Sequence, residues 1–251
     1  MSTTHYDNIA HEYQDSKQLP FRRHVEEYTM LEVLGDLRGK VVLDLACGEG
    51  IYSRSLIAHG AKRVVGVDLS PAMIELAEER QKMQPLAIEY RVGDAMSLDA
   101  IGAFDVVLGS YLLNYARSKT ELLQFRRSIA ANLKPGGRFV GYNDNPANDI
   151  AFYPSYRKYG FVKAGAVPRN EGDPITYTLW NPDGTEFVIE NYYLTRATYE
   201  AAFAECGFRA FRWHLPQVSP EGRASFEANF WDQYLAQPPM IGIEAVAVAA
   251  V

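Results

Sequence analysis

The 251-residue chain sets 25 Lys and Arg against 31 Asp and Glu, a formal net charge of −6, with 47% apolar and 22% charged residues. The length suits one large domain or a domain with an insertion, and the acidic surplus argues against a nucleic-acid partner, whose phosphates are bound mainly by Lys and Arg. Cys47 and Cys206 lie far apart without metal-ligand spacing, which argues against a disulfide framework and fits a reducing compartment.

The opening "MSTTHYDNIAHEYQDSKQLP" has no basic stretch leading into an apolar core, and no apolar run approaches a membrane span. The expected location is therefore the cytoplasm, with no membrane partner. Residues 6–18 and 21–35 read as helices, the second with Val25, Tyr28, Leu31 and Leu34 at helical spacing. A buried strand at 41–46 runs into a glycine turn, and a helix at 51–59 stops at Gly60. The second strand is "RVVGVDLS" (63–70), after which Ser70 and Pro71 cap and open a helix. "IEYRVGDA" (88–95) is a third strand and "FDVVLGSYLLNY" (104–115) begins as a fourth. A helix follows near 119–132, and "LKPGGRFVGYN" (133–143) turns into a fifth strand.

Strands alternating with helices predict an α/β fold, a doubly wound and mostly parallel Rossmann-like sheet with right-handed crossovers. Beyond Asp144 the rhythm changes. Residues 144–174 read as irregular, and "ITYTLWNPDGTEFVIENYYL" as a hairpin turning at Asn181-Pro182-Asp183-Gly184. A helix near 196–206, a strand near 208–214, a helix over 223–236 and a closing strand "IGIEAVAVAAV" follow. The expected organisation is a single domain over 1–251, with an N-terminal helical lid (1–38) and a cap inserted at 144–194.

Ligands of an open parallel sheet bind outside the carboxyl ends of its strands. Those ends carry Asp44 to Gly50, Asp68, Asp94-Ala95, Ser110-Tyr111 and Tyr142-Asn143. A dinucleotide fingerprint needs three glycines; Gly48 and Gly50 fit, but Ser53 stands at the third place. An adenosyl amino acid has no pyrophosphate. It asks for a glycine turn against its amino-acid end, an acid for the ribose hydroxyls and a polar group for the adenine edge, and Asp68 and Asp94 stand in the last two places. Ser70 already fills the helix cap, so Asp68 is left for another role. Cys47 reads as a small turn residue. Asn143-Asp144-Asn145 has the look of a metal site, but no metal is expected.

"LDLACGEG", "VVGVDLS", "VGDA", "FDVVLGSYLLNY" and "LKPGGRFVGYN" resemble, in order, the motifs of the class I S-adenosylmethionine-dependent methyltransferases. The likeness spans roughly residues 40–143. One departure is Ala46, which replaces the first glycine of the family's first motif. The resemblance implies that Asp44 orients the turn or reaches the methionine amine through water, and that the backbone at Ala46, Gly48 and Gly50 lies along the methionine moiety. It further implies that Asp68 takes the ribose hydroxyls, that Leu69 and Met73 flank the adenine, that Asp94 and Ala95 meet its edge, and that Ser110 faces the methionine part. Tyr13 and Arg22 are the candidates to close over the cofactor. S-adenosylmethionine would be consumed and S-adenosylhomocysteine released.

Methyl transfer from a sulfonium needs alignment and exclusion of water more than a strong base. Tyr111, Tyr115 and Asn143 are the candidates to position an acceptor, with no catalytic residue assigned. Sixteen tyrosines, several clustered in the expected cap, suit a flat polar ring; Tyr6, Trp180 and Tyr192 join the expected acceptor contacts. The N-terminal segment, "SYLLNYA" and "SPEG…FW…PPMIGIEA" are similar to bacterial methyltransferases of specialised metabolism, toxin biosynthesis included. The expected partner is a small, planar, nitrogen-heterocyclic acceptor, methylated on nitrogen by a monomer or homodimer. The alternatives are O- or C-methylation of another metabolite, a non-catalytic cofactor-binding subunit, a nicotinamide oxidoreductase, and a protein or RNA methyltransferase.

Overall fold

The computed structural model describes residues 14–205 and 207–248. Seven strands form the main sheet in the order β3-β2-β1-β4-β5-β10-β9. These are β1 (Val41–Leu45), β2 (Arg63–Asp68), β3 (Ile88–Val92), β4 (Phe104–Ser110), β5 (Leu133–Asp144), β9 (Phe208–His214) and β10 (Met240–Ala247). The first five are parallel, and β10 runs antiparallel to both neighbours. The chain leaves β1 toward β3 and returns to the other side of β1 as β4, so the strand order switches between β1 and β4. That is where an open sheet leaves a crevice at its carboxyl edge.

Helices α2 (Ile51–Ala58), α3 (Pro71–Met83) and α4 (Lys119–Asn132) make the crossovers expected from the alternation. Val42, Leu43, Leu45, Val64, Val65, Val107 and Leu108 are buried on a sheet covered on both faces, which is why these strands read as continuous apolar runs. Ser70 caps α3 by accepting from the Met73 N–H, and Pro71 occupies its first turn.

The helix expected over 6–18 lies mostly outside the described residues and ends in a 3-10 turn (Ser16–Gln18). Three further elements depart from expectation. The helix expected over 21–35 begins as a π-helical turn (Arg22–Glu26) before becoming α1 (Glu27–Leu34). The stretch 144–174 is not irregular: it holds a 3-10 helix (Ile150–Tyr159) and β6 (Phe161–Gly165). The latter pairs with the hairpin β7 (Pro174–Trp180) and β8 (Glu186–Tyr192) to complete a three-stranded antiparallel sheet. The hairpin turns where expected, the Gly184 N–H donating to the Asn181 carbonyl at 2.9 Å. The helix expected over 223–236 is two short pieces, α6 (Pro220–Ser225) and α7 (Asp232–Ala236), because Phe226, Phe230 and Trp231 between them turn into an aromatic cluster. After the inserted sheet, α5 (Arg196–Ala204) leads back to the main sheet through β9 and β10.

Candidate active site

The carboxyl end of β1 is built for close approach. Ala46, Gly48 and Gly50 adopt left-handed backbone, with φ of 58°, 54° and 78°. A Cβ on Gly50 would collide with the Tyr90 ring, so only glycine fits there. A Cβ on Gly48 would meet no atom within 4 Å, because that residue faces open space. Asp44, 1% exposed, accepts from Ser53 Oγ at 2.6 Å. Burial, reinforced by the Asp68 charge, pushes the Asp44 carboxyl up to about 7. Ser53, at the third place of the dinucleotide pattern, thus has a definite role, which is to hold the acid at the strand end.

The next two strand ends supply the other acids. Asp68 accepts from the Gly48 N–H at 2.8 Å through Oδ2 and from the Ser70 N–H at 2.9 Å through Oδ1. It ties the glycine turn of β1 to the start of α3. Leu69 beside it is half-buried, and Met73 lies buried in the first turn of α3. Asp94 Oδ1 accepts from the Met96 N–H at 2.8 Å; among the described residues its Oδ2 has no partner. Ala95 is buried in the core beneath.

Two adjoining clefts open at this edge. The first, about 300 Å³ including open solvent, is lined by Lys17, Ala46, Cys47, Gly48, Glu49, Ile51, Tyr52 and Ser110. The second, about 320 Å³ including open solvent, is lined by Phe21, Arg22, Tyr111, Tyr115, Tyr177, Leu179, Ile189, Asn191 and Met240. Consecutive residues at the end of β4, Ser110 and Tyr111, belong to one cleft each. The first cleft suits an adenosyl amino acid by its lining: Gly48, where no side chain stands in the way, the buried Ser110 Oγ with no hydrogen-bond partner among the described residues, and a cation at Lys17.

Between the clefts sits Glu26, fully buried at the end of the π-helical turn. It receives the hydroxyls of Tyr52 and Tyr111 and faces Arg22 Nη1 at 3.3 Å and Lys17 Nζ at 3.9 Å. A π-helical turn is frequent at functional sites. Glu26, Lys17, Glu49 and Tyr52 escaped the sequence reading. The signal for Glu26 lay in the helix face itself, where Arg22 and Glu26 share a stripe with Val25, Thr29 and Met30, all buried.

The structure gathers Ala46, Gly48 and Ser110 at the first cleft, with Gly50 and Asp68 bracing its turn. It gathers Tyr111 and Tyr115 at the second. Arg22 lines the second cleft rather than the glycine turn, with its guanidinium 5.4 Å from the Tyr111 ring centre and against Glu26. Asn143 is fully buried at the end of β5, and among the described residues neither of its amide atoms has a partner. Tyr6 and Tyr13 lie outside the described residues.

Two expected acceptor contacts do not reach the cleft. Strand side chains alternate between faces. Tyr177 and Leu179 on β7, like Ile189 and Asn191 on β8, point inward, so Trp180 and Tyr192 fall on the outward parity. Trp180 stacks under Arg157 at 3.3 Å and donates to Glu186. Tyr192 donates to Glu190 and packs under Arg117 at 4.8 Å. Most of the other cap aromatics are packing groups: Tyr156 stacks on Phe161 at 5.4 Å and Tyr159 on Trp231 at 5.5 Å. Asp144 pairs with the buried Lys163 at 2.5 Å and takes the Tyr177 hydroxyl. Among the described residues no three His, Cys, Asp or Glu are gathered as metal ligands.

Comparison with known proteins places this geometry in a family. Residues 42–137 match the family described as "Methyltransferase domain". The chain is 36% identical over 104 residues to ubiquinone biosynthesis O-methyltransferase of Coxiella burnetii, an alignment that covers 41% of this chain and 42% of that protein. It is 30% identical over 187 residues to demethylmenaquinone methyltransferase of Tropheryma whipplei, covering 72% of each. In fold it is similar to the CcbJ methyltransferase of Streptomyces caelestis, with a TM-score of 0.67 at 18% identity over 99% of this chain and 100% of that one. An S-adenosylmethionine-dependent methyltransferase of Clostridium acetobutylicum aligns with a TM-score of 0.64 at 18% identity, over 97% and 99%. The motifs at the strand ends, the sheet order and these relatives agree: the chain belongs to the class I S-adenosylmethionine-dependent methyltransferases.

Proposed function

We propose that this chain is an enzyme that transfers a methyl group from S-adenosylmethionine, held in the first cleft, to a small planar acceptor in the second. The observation that carries the reading is the junction of the two clefts at Ser110–Tyr111, which supports a donor and an acceptor lying side by side at the sheet's switch point. The bound sulfonium supplies an activated methyl. The chain's part is to hold and to exclude water. Ala46, Gly48 and Ser110 shape the donor cleft, Asp68 fixes the turn through Gly48, and Asp94 offers Oδ2 to an adenine amino group. Tyr13 would close over the cofactor, and Asn143 would sit beneath the acceptor.

The aromatic and aliphatic walls of the second cleft, broken by Asn191, Arg22 and the tyrosine hydroxyls, suit a nitrogen heterocycle. N-methylation of an azapteridine of the toxoflavin kind is the acceptor this reading puts first. A second reading is O- or C-methylation of a quinol-like ring, favoured by the names of the curated relatives. The reading also carries a cytoplasmic location, a monomer or homodimer, and no nucleic-acid partner. Among the described residues no helix is long and apolar enough to cross a membrane.

The test is a mass-spectrometric screen with deuterated-methyl S-adenosylmethionine against azapteridines, other N–H heterocycles and short-chain quinols. A labelled heterocycle supports the first reading and a labelled quinol the second. No labelled product, together with no S-adenosylhomocysteine binding by calorimetry, contradicts both.

A further inference from the structure

The hydroxyl of Tyr111, at the second cleft, is oriented by a hydrogen bond to a buried carboxylate. Tyr111 sits in left-handed backbone (φ 58°) right after β4, a conformation costly for a bulky residue, and it carries the ring to the cleft wall. Its hydroxyl has one proton and two neighbours able to accept it: Glu26 Oε2 at 2.5 Å and Met240 Sδ at 3.4 Å. The carboxylate wins, because a charge-assisted bond to oxygen is shorter and stronger than one to a thioether. The Met240 sulfur is also approached by the Tyr234 hydroxyl at 3.3 Å.

Glu26 is itself fixed. The Tyr52 hydroxyl binds its other oxygen, Arg22 lies against it at 3.3 Å, and Lys17 stands 3.9 Å away. Burial and the Glu26 charge together push the Tyr111 hydroxyl well above its ordinary range, so it stays protonated.

We propose that Glu26 locks the Tyr111 hydroxyl as a hydrogen-bond acceptor facing the second cleft, so that the cleft selects rings presenting an N–H or O–H. With its proton turned to Glu26, Tyr111 Oη offers only lone pairs to a ligand. An acceptor whose reacting atom still bears a proton is drawn to that oxygen. An analogue already methylated there, or bearing a bare lone pair, meets no donor at that oxygen and loses that contact. Tyr111 is then a specificity-determining residue and Glu26 the positioning residue behind it. This rests on the proposed methyltransferase function and narrows its substrate class to protonated ring nitrogens or hydroxyls, a filter that also disfavours rebinding of product.

The probes are indole and benzofuran, planar bicycles of nearly equal shape that differ in an N–H against a ring oxygen. Both are titrated into the full chain with S-adenosylhomocysteine present, for wild type, Tyr111→Phe and Glu26→Gln, with folding checked by circular dichroism. One hydrogen bond at a buried site is worth about 1 kcal/mol, so wild type is expected to favour indole about fivefold. The preference should vanish in Tyr111→Phe and fall in Glu26→Gln, whose amide can donate and turn the hydroxyl toward the cleft. Equal or absent binding in wild type, a preference that survives in Tyr111→Phe, or one unchanged in Glu26→Gln would each overturn the proposal. The same calorimetry reads S-adenosylhomocysteine affinity. Its absence would sink the methyltransferase reading, whereas the indole preference judges the hydroxyl's orientation by itself.

Discussion

Asp44 shows how one buried side chain links the strand end to the pH behaviour of the whole chain. Its carboxyl titrates near 7 in the fold against an ordinary value of 3.8, chiefly because burial penalises the charged form. The folded state therefore keeps that proton through a range where the unfolded chain has lost it. The native state binds more protons between about pH 4 and 7, so stability falls as pH rises through that window. Replacing Asp44 by Asn removes the titration while leaving an oxygen for Ser53. Urea unfolding of the ligand-free protein should show Asp44→Asn gaining on wild type by a few kcal/mol from the bottom to the top of the window. A constant difference across it would contradict the assignment. Asp68 acts differently, since both its oxygens accept backbone N–H groups. Asp68→Ala should cost on the order of 1–2 kcal/mol of stability and weaken S-adenosylhomocysteine binding through the misplaced turn. Unchanged affinity in calorimetry would remove Asp68 from the cofactor site.

The inserted sheet is fastened to the main one by a buried charge. Lys163 on β6 has no exposed side-chain surface and reaches Asp144 at the end of β5, Asn148 Oδ1 at 3.1 Å and the Pro239 carbonyl at 3.3 Å. Removing one member of such a pair strands the other, at about 3–5 kcal/mol. Lys163→Met should therefore lower the unfolding midpoint strongly, and adding Asp144→Asn should recover part of the loss. Additive losses in that double-mutant cycle would show the two side chains to be uncoupled. The same lysine explains why β6 was hidden in the sequence. A charge in the middle of "FVKAG" reads as solvent-facing, whereas here it is buried with its counter-ion from another element. Trp180 and Tyr192 carry the opposite lesson. Their outward parity was legible in the hairpin's own alternation once Ile175, Tyr177 and Leu179 were read as the inner row, but their ring chemistry drew attention first.

At the scale of the molecule, sheet order and crossovers follow from local sequence because buried parallel strands and capped helices announce themselves within ten or so residues. The glycine turn and the acids at Asp44, Asp68 and Asp94 were legible for the same reason, since each sits at a strand end. Contacts between distant segments were not. The Glu26 cluster joins residues from the N-terminal helix, α2 and the end of β4, and no local pattern encodes that meeting. Nor did spacing say that Arg22 would serve the second cleft instead of the first. The central claim, that the first cleft holds an adenosyl amino acid against bare backbone, turns on Gly48. Its left-handed φ of 54° suits asparagine among ordinary residues, and an added side chain meets no protein atom within 4 Å of its Cβ. Calorimetric titration of S-adenosylhomocysteine into wild type and Gly48→Asn is the most direct measurement. The structure predicts one site per chain in wild type and at least about tenfold weaker binding in the variant once circular dichroism shows it folded, a loss of about 1.4 kcal/mol. Equal affinity in the two proteins, or no binding in wild type, would contradict it.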